Sequence, residues 1–137
     1  MEILKRNADY ALRALAGLAE MRNTPFVSAR GLAHRQKLAE PILRKLLQRL
    51  ARAGFVRSTK GPRGGFRLAR RPEDISVLEV AEAIQGPLAL NRCFLGVRTC
   101  PNRPSCRVSA GLARFQRRLK TLFRSISLDQ LTGADHD

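Results

Sequence analysis

The sequence predicts a mainly α-helical protein with a small β-hairpin, arranged as a winged helix-turn-helix domain followed by a long dimerisation helix. Three observations predict this class. Leucine and alanine recur at helical spacing through the first fifty residues. Two short alternating runs then flank a glycine-rich tip near residue 62. Finally, apolar residues step by four and three from residue 108 onward.

Three helices are expected before the hairpin. The first covers residues 2–21 and ends before Pro25, because the residue before a proline avoids helical angles. Ser28 is the expected N-cap of a second helix, and Pro41 fits the first turn of a third. The third helix has one leucine-rich face and one basic face, so the pair resembles a helix-turn-helix. A solvated basic face is the equally strong alternative at this point.

The hairpin strengthens the DNA-binding interpretation. Residues 55–59 and 66–69 alternate as strands do, and the tip between them contains three glycines with Lys60 and Arg63. A basic hairpin directly after a helix-turn-helix, here at 55–69, is typical of a wing whose tip enters a minor groove. A hairpin that serves only as a turn is the alternative.

The remaining elements complete the predicted domain organisation. Ser76 and Glu79 have capping-box spacing and open a helix that ends near Gln85, which closes a DNA-binding domain over 1–86. A cysteine loop follows at 87–107, a dimerisation helix at 108–127 and a tail at 128–137. The helix carries a regular apolar seam that predicts a dimer interface: Val108, Leu112, Phe115, Leu119, Leu122 and Ile126. Packing of this seam against its own domain is the alternative.

The charge of the chain narrows its partners. The formal net charge is +15, and residues 41–72 contain ten basic residues and no acidic one. Such a stretch suits a surface that displaces counterions from a phosphate backbone. No stretch is apolar enough for a membrane span, and the N-terminus lacks a signal peptide's apolar region, so a cytoplasmic protein without a membrane partner is expected. No catalytic arrangement is visible, so an enzyme is not expected.

Several of these segments resemble one family. They are DYALRAL at 9–15, LLQRLARAGFV at 46–56, GPRGGFRLAR at 61–70, ISVLEVAEAIQGPLAL at 75–90 and the three cysteines. Together they resemble the IscR/NsrR superfamily (Rrf-two type) of bacterial winged helix-turn-helix regulators, and the cysteine pattern is most similar to the nitric-oxide-sensing NsrR branch. The resemblance implies a homodimer that binds a palindromic operator in double-stranded DNA.

The resemblance also implies which residues contact DNA. It matches the recognition helix to residues 40–53, where Arg44 and Lys45 would read base edges, although Ala39, Glu40 and Pro41 depart from the family's more polar start. Together with the charged face and the wing, it gives the expected DNA-binding set: Ser28, Arg44, Lys45, Arg49, Arg57, Lys60 and Arg63.

The cysteines predict a metal centre. Cys93, Cys100 and Cys106 lie within fourteen residues, and thiolates are the standard ligands of iron–sulfur clusters. A [4Fe–4S] and a [2Fe–2S] cluster each need a fourth ligand, so the number of thiols does not distinguish them. The resemblance favours [4Fe–4S] and leaves [2Fe–2S] possible. Ser109 occupies the position at which some relatives have a histidine ligand. The resemblance instead implies Asp9 from the partner subunit, and an exposed carboxylate near Arg6 or Arg13 is the alternative.

Other functions remain open at this point. A regulator of the same fold without a cluster would respond through cysteine oxidation or a partner protein. A structural zinc site on three thiols is disfavoured because no two cysteines have the C-x2-C spacing. A basic RNA- or ribosome-associated protein would also match the charge.

Overall fold

The computed structural model describes residues 2–96 and 100–133. Helix α1 spans Arg6–Glu20, α2 spans Ala29–Gln36 and α3 spans Glu40–Arg52. Helix α1 begins four residues later than predicted, because hydrogen bonds to a distant side chain keep the backbone of residues 3–5 out of the helix. The side chain of Gln85 donates to the Ile3 carbonyl and accepts from the Lys5 amide, each at 2.9 Å.

The turn between α2 and α3 is tight and has a left-handed residue. Ser28 caps α2 by accepting the Gly31 N–H at 3.0 Å. At the other end Lys37 has φ 55°, and the Leu38 N–H bonds to the Ala33 carbonyl at 3.0 Å. Such a turn, usually closed by glycine, reverses the chain within three residues. It brings α3 across α2 as a helix-turn-helix.

The hairpin consists of β1, Val56–Thr59, and β2, Gly65–Leu68. The strands are antiparallel, with Val56 opposite Leu68 and Thr59 opposite Gly65. Val27, just before α2, pairs with Phe66 through two backbone hydrogen bonds of 2.8 Å. This bridge ties the wing to the start of the helix-turn-helix.

Helix α4 spans Val77–Gln85 and α5 spans Arg107–Ser125. The predicted capping box is present, since the Ser76 side chain accepts from the Glu79 N–H and the Glu79 side chain accepts from the Ser76 N–H. Single 3-10 turns occur at Arg92–Phe94 and Arg103–Ser105. Residues 97–99 of the predicted cysteine loop lie outside the described residues.

The chain after α5 is packed, which differs from the expected helix to 127 and tail from 128. Helix α5 ends at Ser125, and the Ile126 carbonyl accepts from the Val77 N–H at 2.8 Å. Leu128 is only 1% exposed and its N–H bonds to the Ile75 carbonyl. Burial of Leu128, in a last 3-10 turn at Leu128–Leu131 that packs against α1 and the turn Pro72–Asp74, holds this end of the chain in place. Residues 134–137 of the expected tail lie outside the described residues.

One hydrophobic core joins these elements. Its largest fully buried side chains come from α1, α2, α3, α4 and the connections around them: Leu15, Leu32, Leu43, Leu47, Leu50, Ile75, Val80 and Leu128. The mainly α-helical fold with a two-stranded wing confirms the predicted fold class. Within the described part of the chain, no helix is both long and apolar enough to cross a membrane.

Candidate DNA-binding surface and cysteine segment

Helix α3 is amphipathic, with leucines on one face and basic residues on the opposite face. Leu43, Leu46, Leu47 and Leu50 are buried against α1 and α2. The opposite face is exposed and basic. Arg44 on this face forms a 2.7 Å ion pair with Glu40, one turn earlier, and both side chains remain substantially exposed. An exposed pair of this kind contributes little to stability, so the guanidinium is available to a stronger anion.

A cleft forms where α3, the start of α2 and the hairpin meet. We call it the wing cleft, and it contains the predicted residues Ser28, Arg44 and Lys60. It also contains polar residues that the sequence interpretation did not select: Arg30, Gln48, Arg52, Ser58 and Thr59. Gln48 and Arg52 could have been found from the sequence, because they follow Arg44 at steps of four and so lie on the same face of α3. No acidic side chain lines the cleft among the residues described, so its potential favours an anion.

Three further predicted residues are exposed but do not line the wing cleft. Lys45 lies on α3, Arg57 on β1 and Arg63 at the hairpin tip. Arg57 is directly opposite Arg67 in the register, and like charges so placed destabilise a hairpin. Arg67 also stacks over the Phe26 ring at 5.3 Å. A phosphate backbone beside the strand would offset the repulsion between the two arginines.

The structure places Arg49 differently from the other predicted residues. Its guanidinium points toward α4 and donates to the Ile84 carbonyl at 2.7 Å. It does not line the wing cleft. The sequence alone had no signal for this contact, because Ile84 is 35 positions away in the chain.

The cysteines of the segment 87–107, which we call the cysteine segment, are all free thiols. Cys93 is buried in the 3-10 turn, while Cys100 and Cys106 are half-buried. Cys106 caps α5, where its sulfur accepts the Ser109 N–H at 3.4 Å.

Asp9, the predicted fourth ligand, lies exposed in the first turn of α1. The donor set is chemically suited to an iron–sulfur cluster, since it consists of three free thiols with a carboxylate as candidate. Across residues 2–96 and 100–133, however, no three cysteine, histidine, aspartate or glutamate side chains are gathered within one chain.

The cysteine segment is joined to the domain by polar contacts of α5. The amide of Gln116, 8% exposed, donates to the Leu88 carbonyl at 2.7 Å and accepts the Leu90 N–H at 2.8 Å. Glu82 of α4 accepts the Leu88 N–H at 3.0 Å. These three bonds hold residues 88–90 between α4 and α5.

The predicted dimer seam divides into two faces. Val108, Phe115 and Leu122, seven residues apart, are 66%, 55% and 57% exposed. Leu112 and Leu119 are half-buried, and Ile126 lies beyond the helix, where it packs against the core. Ile126 therefore packs against its own domain, as the alternative interpretation expected. Val108, Phe115 and Leu122 remain as an exposed apolar stripe on α5.

A family profile described as "Rrf2: Iron-dependent Transcriptional regulator" matches residues 4–134. The chain is 33% identical over 105 residues to the HTH-type transcriptional regulator NsrR of Shouchella clausii, covering 76% of this chain and 70% of that one.

Several solved structures have a similar fold, and two of them are described here. T. potens IscR has a TM-score of 0.73 and 27% identity, over 93% of this chain and 83% of that one. CymR of B. subtilis, titled the global cysteine regulator, has a TM-score of 0.75 over 96% of both chains. At 22% identity the second shows the fold alone. With the family match over nearly the whole chain, the protein belongs to the Rrf2 family of transcriptional regulators.

Proposed function

We propose that this regulator is a homodimer whose affinity for a palindromic DNA operator is controlled by an iron–sulfur cluster. Cys93, Cys100 and Cys106 would hold the cluster, with Asp9 supplied by the second subunit. The observation that carries the proposal is three free thiols on one segment that is hydrogen-bonded to both α4 and α5. A change at the thiols therefore has a direct structural route into the DNA-binding domain.

DNA would contact the exposed basic surface of α3 and the hairpin. The wing cleft fits a phosphate backbone in charge and in its hydroxyl and amide donors; it is lined by Ser28, Arg30, Arg44, Gln48, Arg52 and Lys60. Arg44, expected from the resemblance to read a base edge, is therefore proposed as a phosphate contact. Lys45 on α3 would lie toward the major groove, and Arg63 at the tip toward a minor groove. Arg57 would approach the backbone from β1.

The exposed stripe of Val108, Phe115 and Leu122 supports dimerisation through α5. Large apolar side chains at exact heptad spacing on one helix face suit a second helix. A two-fold dimer would then present two α3 helices to the two halves of a palindrome. A [4Fe–4S] cluster is favoured and [2Fe–2S] is the other possibility. Bound there, a cluster would supply iron that reacts with nitric oxide or oxygen.

The cluster is tested by anaerobic reconstitution followed by native mass spectrometry, which counts iron and sulfide per subunit. We expect a cluster in the unmodified protein and in Ser109→Ala. A Cys100→Ala variant should lose the cluster, and Asp9→Ala should weaken it and change its response to nitric oxide. A colourless, iron-free protein after reconstitution would rule the cluster out.

DNA binding is tested by salt titration. Each phosphate contact removed, as in Arg44→Ala or Lys60→Ala, should reduce the slope of log affinity against log salt by about 0.9. Equal affinity for a palindromic and a random duplex would contradict an operator-binding regulator. It would favour a basic RNA- or ribosome-associated protein.

A regulator of the same fold without a cluster is the second candidate. The partial exposure of Cys100 and Cys106 favours it, because accessible thiols can be oxidised. If the iron-free protein changes its DNA affinity when treated with peroxide and recovers it with dithiothreitol, thiol oxidation is the switch. If the DNA affinity changes only when a cellular protein is added, a partner protein controls DNA binding.

A further inference from the structure

Arg49 makes a contact that direct DNA binding does not explain. It sits on the flank of α3 next to α4, and its Nη2 donates to the Ile84 carbonyl in a partly buried bond of 2.7 Å. A hydrogen bond with a charged donor in such a position is roughly twice as strong as a neutral one. The guanidinium is therefore held by the protein itself.

The carbonyl that Arg49 binds is one that α4 cannot satisfy. Ile84 lies in the last turn of α4, where carbonyls have no partner within the helix and the dipole is negative. That last turn contains no basic residue of its own. Arg49 thus supplies the cation that α4 lacks, and it does so from α3.

The same end of α4 is the point at which the cysteine segment begins. Gly86 has φ 88°, which glycine adopts without strain, and it redirects the chain toward Leu88. Leu88 is held by Glu82 and Gln116, and Cys93 follows five residues later. A shift of residues 88–93 must consequently be taken up at Gly86 and at the end of α4.

Gln85, between the Arg49 contact and Gly86, binds the segment before α1. Its side chain bonds to the Ile3 carbonyl and the Lys5 amide, four residues before Asp9. The end of α4 therefore connects three parts of the molecule: α3, the start of α1 and the cysteine segment.

We infer that Arg49 is a positioning residue that couples the cysteine segment to α3 through the Ile84 carbonyl, and that it is not a DNA contact. The inference rests on the proposed function only in that the cysteine segment is taken as the sensing element. Movement of that segment displaces the end of α4, and Arg49 transfers the displacement to the helix that faces DNA.

The first measurement needs no cluster. The salt dependence of binding to a mixed-sequence duplex is compared for the unmodified protein, Arg49→Met and Arg44→Met. We expect an unchanged slope for Arg49→Met and a slope smaller by about 0.9 per lost phosphate contact for Arg44→Met. A slope for Arg49→Met that falls as it does for Arg44→Met would show a phosphate contact and overturn the inference.

The second measurement tests coupling. A duplex selected from a random library by the unmodified protein is bound by the reconstituted anaerobic form and by the chelator-treated form. We expect the ratio of the two affinities to shrink by about five-fold or more in Arg49→Met and to be largely retained in Arg49→Lys, which keeps a charged donor. An unchanged ratio in Arg49→Met would overturn the inference.

The proposed function can fail separately. If the unmodified protein forms no cluster, the same ratio is measured for the free-thiol form and the form alkylated with N-ethylmaleimide. Loss of the alkylation effect in Arg49→Met would support the inference without a cluster. Absence of any alkylation effect in the unmodified protein would overturn it. Circular dichroism of each variant checks that the fold is kept.

Discussion

Gly65 lies directly beside the bridge between Val27 and Phe66, which joins the wing to the helix-turn-helix. Its φ is 153°, and a Cβ at this position would overlap the Val27 carbonyl oxygen and lie 2.6 Å from the carbonyl carbon. That carbonyl accepts one of the two hydrogen bonds between Val27 and Phe66. The absence of a side chain at residue 65 thus permits the bridge that fixes the wing.

We expect Gly65→Ala to destabilise the protein by about 3 kcal/mol, since it strains the backbone and breaks the bridge. Gly61→Ala is the matched control: its φ is 104°, but a Cβ there meets no atom within 4 Å. It should cost only about 1 kcal/mol. Urea unfolding of both variants measures the difference, and equal losses would contradict the role of the Val27 contact.

Among the elements, α4 is stabilised at its first turn by the carboxylate of Glu79. Burial raises the pKa of Glu79, but hydrogen bonds from the Ser76 backbone and from Arg70, with the charge of Arg70, outweigh it and lower the pKa below its usual 4.5. A carboxyl whose pKa is lower in the folded state stabilises the fold above its ordinary pKa. This contribution disappears as the pH falls through the lower, folded-state value.

Glu79→Gln keeps an acceptor for the Ser76 N–H and loses the charge that faces Arg70. We expect it to be less stable than the unmodified protein by about 0.5 kcal/mol at pH 7, because the pair is partly exposed. The difference should close as the pH is lowered through and below the depressed pKa. Denaturant unfolding at pH 7 and at successively lower pH measures it. A difference that stays constant with pH would rule out the ionic origin.

Glu20→Gln provides the control. Glu20 is exposed at the end of α1, and no ion pair to it occurs in residues 2–96 and 100–133. Glu20→Gln should therefore not show the pH-dependent loss of stability relative to the unmodified protein that is expected for Glu79→Gln.

For the whole molecule, the exposed stripe on α5 would form the interface of the proposed dimer. Phe115, 55% exposed, is at the centre of the stripe, so a charge there would be buried without a partner in a dimer. We expect Phe115→Glu to raise the dimer dissociation constant about 30-fold or more, which corresponds to about 2 kcal/mol. Sedimentation velocity over a concentration series measures this.

Ala110→Glu is the matched control, since it adds the same charge to the same helix at an exposed position away from the stripe. It should leave the dissociation constant nearly unchanged. Equal weakening by both variants would point to general charge repulsion, and no effect of Phe115→Glu would place the interface elsewhere.

Much of the fold was predictable because local patterns determine it. The stripe on α3, the Ser28 cap, the Ser76–Glu79 capping box and the glycine-rich hairpin each depend on residues a few positions apart. The boundaries at both ends of the chain were less predictable. Leu4 continues the stripe of α1 in sequence, yet Gln85, 80 residues away, holds the backbone beside it outside the helix.

The sequence by itself determined the fold class, the family and the presence of three thiols beside a DNA-binding domain. The fold class follows from the spacing of apolar residues and glycines, whereas the family follows from the resemblance of particular segments and of the cysteine pattern. Only the tertiary structure decided which arginines of α3 face the wing cleft, that Arg49 binds α4, and that Leu128 is buried. The physical reason is that a helix's period assigns residues to faces, whereas the surroundings of each face depend on elements distant in sequence.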